Sequence, residues 1–185
     1  MNAKATLVTI ITLTGTICGA QTLDWENYDP PSTLVVPENP IDRAKFPFID
    51  VHSHQYRMGP SDLADRIVEM DAMNMGIMVN LSGRGGSQLK AMAGNVEKAF
   101  PNRFAIFTNL NFNGVDRSNW AQNAVAQLEE DVKNGAMGLK VYKGLGLSNK
   151  DIDGKRVAVD DPRLDPVWQK CGELRIPVII HSADP

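Results

Sequence analysis

From Phe48 onward the chain alternates short apolar runs with longer stretches whose apolar residues recur every three or four positions. IDVH is a brief β-branched run. SDLADRIVEMDAMN follows, placing Leu63, Ile67 and Met70 on one helical face with Ser61 as the expected N-cap. GIMVNL reads as a second strand, and SQLKAMAGNVEKAF as a helix aligning Leu89, Met92, Ala93 and Val96. RFAIFTNL is a third strand. SNWAQNAVAQLEEDVKNG is a third helix, with Ala121, Ala124, Val125, Leu128 and Val132 inward and Gly135 ending it. MGLKVY, then DPRLDPVWQKCGELR, then IPVIIH complete the series as strand, helix and strand. The longer connection GLGLSNKDIDGKRVAVDD is expected to hold a small hairpin around Asp153-Gly154.

Strands alternating with amphipathic helices predict βα units and a parallel α/β sheet. A doubly wound sheet and a (β/α)8 TIM barrel both satisfy that rhythm. No glycine-rich dinucleotide fingerprint follows the first strand, where polar HSHQYR stands instead, and this favours the barrel. A closed barrel typically needs about 250 residues. With 185 residues, the expectation is a TIM-type barrel truncated after about five strands, the N-terminal part of a longer protein. Residues 21–47 hold five of the eleven prolines and show no sustained periodicity, so they read as an extended lead-in before a domain spanning 48–185.

The N-terminus changes the picture of where the protein works. MNAKATLVTIITLTGTICGAQ has one early cation, Lys4, then an uncharged stretch closing on small residues, with Ala20 a fitting last residue before cleavage. Residues 1–20 therefore read as a signal peptide for export, to the periplasm or outside the cell. An acylated Cys18 is disfavoured by the bulky Ile17 before it. Loss of Lys4 would change the formal charge from −3 to −4. Composition is otherwise that of a soluble globular domain, 43% hydrophobic and 22% charged, with no basic footprint for nucleic acid and no reason for membrane contact after cleavage. Cys171 would remain alone on the apolar helix face formed with Leu164, Val167, Trp168 and Leu174, and is expected to be a buried structural thiol.

The chemistry gathers at the strand ends. Two of the three histidines, His52 and His54, stand one residue apart where the first strand finishes. Alternation along a strand puts Asp50, His52 and His54 on one side, at the barrel mouth where such enzymes keep their active sites. Two imidazoles on one face make half of a zinc site, with Asp50 deeper as an orienting group. A lone HxH is a weak motif, since hydrogen-bonded surface histidines are commoner than ligands. Two further positions strengthen it. His181 ends a later apolar strand at the equivalent place, and Lys140 lies within the apolar fourth strand, where an unpartnered charge is costly. Snorkelling to the rim is the bland explanation of Lys140, and a one-residue slip would exchange it with Lys143. Arg57, Arg84 and Lys143 follow strands one, two and four, where a substrate carboxylate is gripped, although solvated loop cations are commoner. The glycines of SGRGGS lack the P-loop lysine and spacing, so a flexible loop is expected there. The Met-rich MDAMNMGIM reads as core filler.

FIDVHSH, GAMGLKVYKGLGL and IPVIIHSADP, in this order over residues 46–185, resemble the metal-dependent amidohydrolase superfamily, especially its amidohydrolase-related (amidohydrolase 2) branch of decarboxylases and lactonases. The resemblance implies His52, His54 and His181 as ligands of one or two divalent ions, most readily Zn2+. It implies Lys140 as the strand-four catalytic lysine, carboxylated in binuclear members. It also implies a metal-activated water attacking an amide, ester or lactone carbonyl of a small molecule. The family's later histidine and aspartate lie beyond this stretch, and Asp184 follows His181 too closely to replace the aspartate. Inactivity is therefore expected of the 185-residue chain and a hydrolase of its parent. The rivals are decarboxylation on the same site, a non-catalytic exported binding domain, and an inactive fragment whose open sheet edges favour homo-oligomers.

Overall fold

Each apolar run becomes a strand and each periodic stretch a helix in the computed structural model, which describes residues 28–35 and 39–181. The chain divides into two units, Met1–Asn39 and Pro40–Pro185. In the first, residues 28–35 form no helix or strand and are exposed; the signal peptide expected over 1–20 lies outside the described residues.

The second unit runs β1 (Phe48–Ser53), α1 (Pro60–Met73), β2 (Met75–Asn80), α2 (Gly86–Ala99), β3 (Phe104–Asn109), α3 (Trp120–Lys133), β4 (Ala136–Val141), one-turn α4 (Gly144–Leu147), 3-10 turn η1 (Pro162–Leu164), α5 (Asp165–Leu174) and β5 (Val178–Ile180). All neighbouring strands are parallel, and their order is β1-β2-β3-β4-β5. A doubly wound sheet would reverse direction at a switch point. Here each strand pairs with its predecessor, so the sheet is an arc of the (β/α)8-barrel type. Among the described residues no helix is long and apolar enough to cross a membrane.

Local sequence explains the boundaries, with one correction. Gly59 rather than Ser61 caps α1, because Pro60 supplies a fixed φ and no N–H at the first helical position. The Asp62 carboxylate accepts from the Gly59 N–H at 3.0 Å. Asn74, left-handed at φ 67°, ends α1, and its side-chain amide donates to Ala44 O at 2.9 Å. Arg43 also donates to the last carbonyls of that helix, which fastens the stretch before β1. The hairpin expected at Asp153-Gly154 reduces to one antiparallel bridge, Lys150 with Arg156. Arg163 ties it down by bonding Asp151 at 3.2 Å and Asp161 at 2.6 Å, and its bonds to Asp161 bring that carboxyl's pKa down to about 2.

Burial is layered. Leu63, Met70, Leu89 and Val96 pack from α1 and α2 onto β2 and β3. Ala124, Leu128, Leu164 and Val167 pack with Leu139 and Val141 of β4. Burying such side chains contributes on the order of 1.5–3 kcal/mol each. Cys171 belongs to this second layer, and burial pushes its thiol up to about 11, as expected of an unreactive cysteine. On the concave side Val79, Leu81 and Phe107 meet Ala105 and Ile179. Phe107 covers Gly138 so closely that a Cβ there would lie 2.4 Å from the ring. Ile49 and Val51 of β1 remain 54% and 61% exposed, so no helix covers that edge strand's outer face among the described residues.

One buried residue departs from the expected pattern of α3. Asp131 sits on its apolar face, fully buried. Its carboxylate accepts from Gly86 N at 2.7 Å, Thr108 Oγ1 at 2.6 Å and Gln127 Nε2 at 3.1 Å. That carboxylate joins α3 to β3 and to the start of α2. Asp131→Ala should strand all three donors and lower the unfolding free energy by about 3 kcal/mol. Urea titration checks this, and Asp131→Asn, which keeps one acceptor oxygen, should recover part of the loss.

Candidate functional site

The C-terminal ends of parallel strands share one edge, and His52, His54, Lys140 and His181 lie along it. β1 ends at Ser53, so His52 lies in the strand and His54 just beyond it. Their rings stand edge to face with centroids 5.2 Å apart. The Asp50 carboxylate accepts from the His52 backbone N–H at 2.9 Å. Lys140 of β4 is 1% exposed, which settles the register in its favour, since Lys143 is exposed at the start of α4. Lys140 Nζ lies 6.0 Å from the Tyr142 ring centre, and no carboxylate pairs with it among the described residues. His181 directly follows β5, and its N–H donates to Val141 O at 3.0 Å. Asp184 lies outside the described residues.

Asparagine side chains organise the mouth where the backbone ladder stops. Asn80 is fully buried. Its Oδ1 accepts from Gln55 N and Ser82 N, both at 2.9 Å, and its Nδ2 donates to Gln55 O at 2.9 Å. This fixes the exit of β1, and so His54, against the exit of β2. Asn109 does the same one strand along, accepting from Arg84 N at 2.9 Å and donating to Leu81 O at 3.0 Å. Both follow the same short pattern, VNL and TNL, at the ends of β2 and β3. A buried polar residue closing an apolar run was the available signal.

Hydrogen bonds tie the SGRGG loop, for which a flexible loop was expected, to the end of β3. Gly83 N donates to Phe107 O at 3.1 Å, and Arg84 O accepts from Asn109 N at 2.7 Å and Thr108 Oγ1 at 3.1 Å. A Cβ on Gly83 would lie 2.3 Å from Phe107 O, so its glycine serves close packing rather than phosphate. Arg84 itself is left-handed at φ 64°, and its guanidinium lies 5.2 Å from the Tyr56 ring centre. Tyr56 in turn stacks against His54, with centroids 6.5 Å apart. Arg57 points elsewhere: its side chain is 87% exposed and 4.0 Å from Asp62.

The electrostatics are one-sided. Partial burial pushes the His54 pKa below the ordinary 6.5, and the positive charges of His52, Lys140 and His181 push it further down. Burial likewise lowers the Lys140 amine. An imidazole disfavoured in its charged form, His54, and a lysine inclined to lose its proton are the chemistry of metal ligands and proton acceptors. The paired imidazoles of His52 and His54 fit a divalent ion in kind. Among the described residues, however, no three His, Cys, Asp or Glu side chains stand close enough to close a cage.

Cavities are found among the described residues as well. One of about 750 Å3 opens at the opposite end, between Ile77, Phe104, Ala136 and the helix residues Lys90, Glu97 and Lys133. A polar one of about 290 Å3 lies beside the start of α3, between Asn111, Arg117, Asn119 and Asn123.

No family model matches the chain, and no curated protein does. Among solved structures it is similar to the crystal structure of 4-oxalomesaconate hydratase, LigJ, from Rhodopseudomonas palustris. The TM-score is 0.51 at 19% identity, over 72% of this chain and 52% of that one. The chain thus spans about half the length of the hydratase, and the likeness is one of fold.

The depressed His54 pKa has a definite sign. The fold disfavours the charged imidazole, so the stability tied to His54 is complete above pH 6.5 and is lost as pH falls through the lower folded value. An NMR titration should find the His54 midpoint below 6.5, and Lys140→Met should move it upward by removing a neighbouring positive charge.

Proposed function

We propose that this chain carries the first part of a metal-dependent, water-activating site of the amidohydrolase type. One observation carries the reading: two imidazoles with centroids 5.2 Å apart at the end of β1 share the strand-end edge with a buried lysine of β4 whose charge acts on His54. The barrel-type order of the strands and the resemblance of FIDVHSH, GAMGLKVYKGLGL and IPVIIHSADP to that superfamily support it. The similar solved structure is named a hydratase. Hydration and hydrolysis share one requirement, a water made nucleophilic, and that is the level at which the two agree.

In this reading His52 and His54 hold the ion, with His181 approaching from β5. When bound, a divalent cation such as Zn2+ lowers the pKa of its water toward about 7 and polarises a carbonyl. The chain's residues do the rest. Ser82, 2.8 Å from His54 Nδ1, fixes the orientation of that ring. Lys140, its proton loosened by burial, accepts a proton at Nζ or, as the neutral amine, would add carbon dioxide there to form a carbamate with release of one proton. Arg84, presented over Tyr56 by a backbone bonded on both sides, grips a substrate carboxylate; Lys143 and Arg57 lie farther out on neighbouring loops. The preferred substrate is a small carboxylate-bearing amide, ester or lactone.

Metal titration of the full chain tests this. Co2+ followed by visible absorbance, and Zn2+ by calorimetry, should each saturate with His52 and His54 present. His54→Ala should weaken binding by more than the ~10–100-fold typical of losing an outer-shell partner. A wild-type titration indistinguishable from that of a His52→Ala, His54→Ala double variant would remove the reading.

A further inference from the structure

Three contacts run in series from the sheet to the imidazole of His54. Tyr142 Oη lies 3.1 Å from Leu81 O, Ser82 Oγ lies 2.9 Å from Tyr142 Oη, and His54 Nδ1 lies 2.8 Å from Ser82 Oγ. Every hydrogen bond needs one proton, and the carbonyl at the far end has none to give. Three protons are available: the phenolic one, the serine hydroxyl, and one on His54 Nδ1. A single assignment fills all three contacts. Tyr142 donates to Leu81 O, Ser82 donates to Tyr142, and His54 Nδ1–H donates to Ser82. If His54 instead carried its proton on Nε2, two hydroxyl protons would serve three contacts, and one of the three would hold no proton. Two lone pairs would then face each other at about 3 Å in a half-buried place, at the cost of an unmade hydrogen bond.

The far end of the series is anchored. Leu81 O also accepts from Asn109 Nδ2 at 3.0 Å, which holds that carbonyl in place. Ser82 is fully buried, and its backbone N–H is bound by Asn80 Oδ1. The His54 ring is flanked as well, with Tyr142 and Tyr56 stacked near it at centroid distances of 6.2 and 6.5 Å. Orientation and proton position are therefore fixed together.

We infer that Ser82 and Tyr142 are positioning residues: a serine–tyrosine relay ending on Leu81 O that locks neutral His54 as the Nδ1–H tautomer and leaves Nε2 as its acceptor nitrogen. The consequence for the site rests on the metal-ligand reading above, since an imidazole held this way meets a cation with a lone pair rather than an N–H. The relay itself belongs to the metal-free chain and can be tested without any metal.

The test uses the full chain with 15N-labelled histidine, in chelator at pH 8, where histidine is neutral. Two-bond 1H–15N spectra distinguish the tautomers, and the His54 signals are identified by their loss in His54→Gln. The wild type should show the Nδ1–H pattern. Tyr142→Phe keeps the half-exposed ring but removes the acceptor of the Ser82 hydroxyl, which can then turn and donate to Nδ1. His54 should shift toward Nε2–H, while the amide spectrum shows the fold retained. A wild-type Nε2–H pattern overturns the relay, and so does a Tyr142→Phe spectrum that keeps Nδ1–H unchanged. Zn2+ titration of the same two samples separates this from the metal reading. A tautomer shift without Zn2+ binding in either sample leaves the relay standing and removes the ligand role. Binding weakened ~10–100-fold in Tyr142→Phe supports both.

Discussion

A strand that ends leaves backbone donors and acceptors without a ladder, and at this sheet edge two asparagines take over. Asn80 and Asn109 are buried or half-buried extensions of β2 and β3 that bond the exits of their neighbours. Through Asn80 the turn after β1 is held, so His54 reaches Ser82. Through Asn109 the loop after β2 is held, so Arg84 lies over Tyr56. Each asparagine supplies both an acceptor and donors in a fixed plane, matching what an interrupted backbone needs. Replacing either with an apolar residue would strand several buried groups at once, each costly to leave unmade. The positions of the basic side chains follow from that bonding.

Asp131 repeats the principle from the helical side. Its carboxylate binds Gly86 N at the start of α2 and Thr108 at the end of β3. Helix, strand and loop thereby meet on one ion. The fold thus places its buried polar groups next to the edge that carries the histidines, and builds the layer behind them from Leu, Val and Met.

Much of the fold was legible in the sequence because period carries it: the alternation from Phe48 marked every strand and main helix, and Cys171 lay in the apolar stripe where it is found. Local chemistry misled in two places. Ser61 is a good cap in isolation, yet Pro60 begins the helix one residue earlier. The glycines of SGRGG suggested freedom, while Gly83 is there because the backbone of β3 leaves no room for a side chain. The histidine pair and Lys140 stood out by being polar at the ends of, or inside, apolar runs. Asn80, Asn109 and Asp131 carried that same signal more quietly. The Ser82–Tyr142 contact carried none, since it joins residues 60 apart whose pairing exists only once β2 and β4 flank β3.

The strictly sequential strand order also bears on how the chain comes to be folded. Every strand after the first meets a partner made one βα unit earlier, so each step closes a short loop and no segment waits for a distant one. Such a sheet can grow in the direction of synthesis, each unit adding to an edge already in place as the chain emerges. The edge that receives the next unit is open at every stage, so the time between units is the time during which the growing arc can pair with something else.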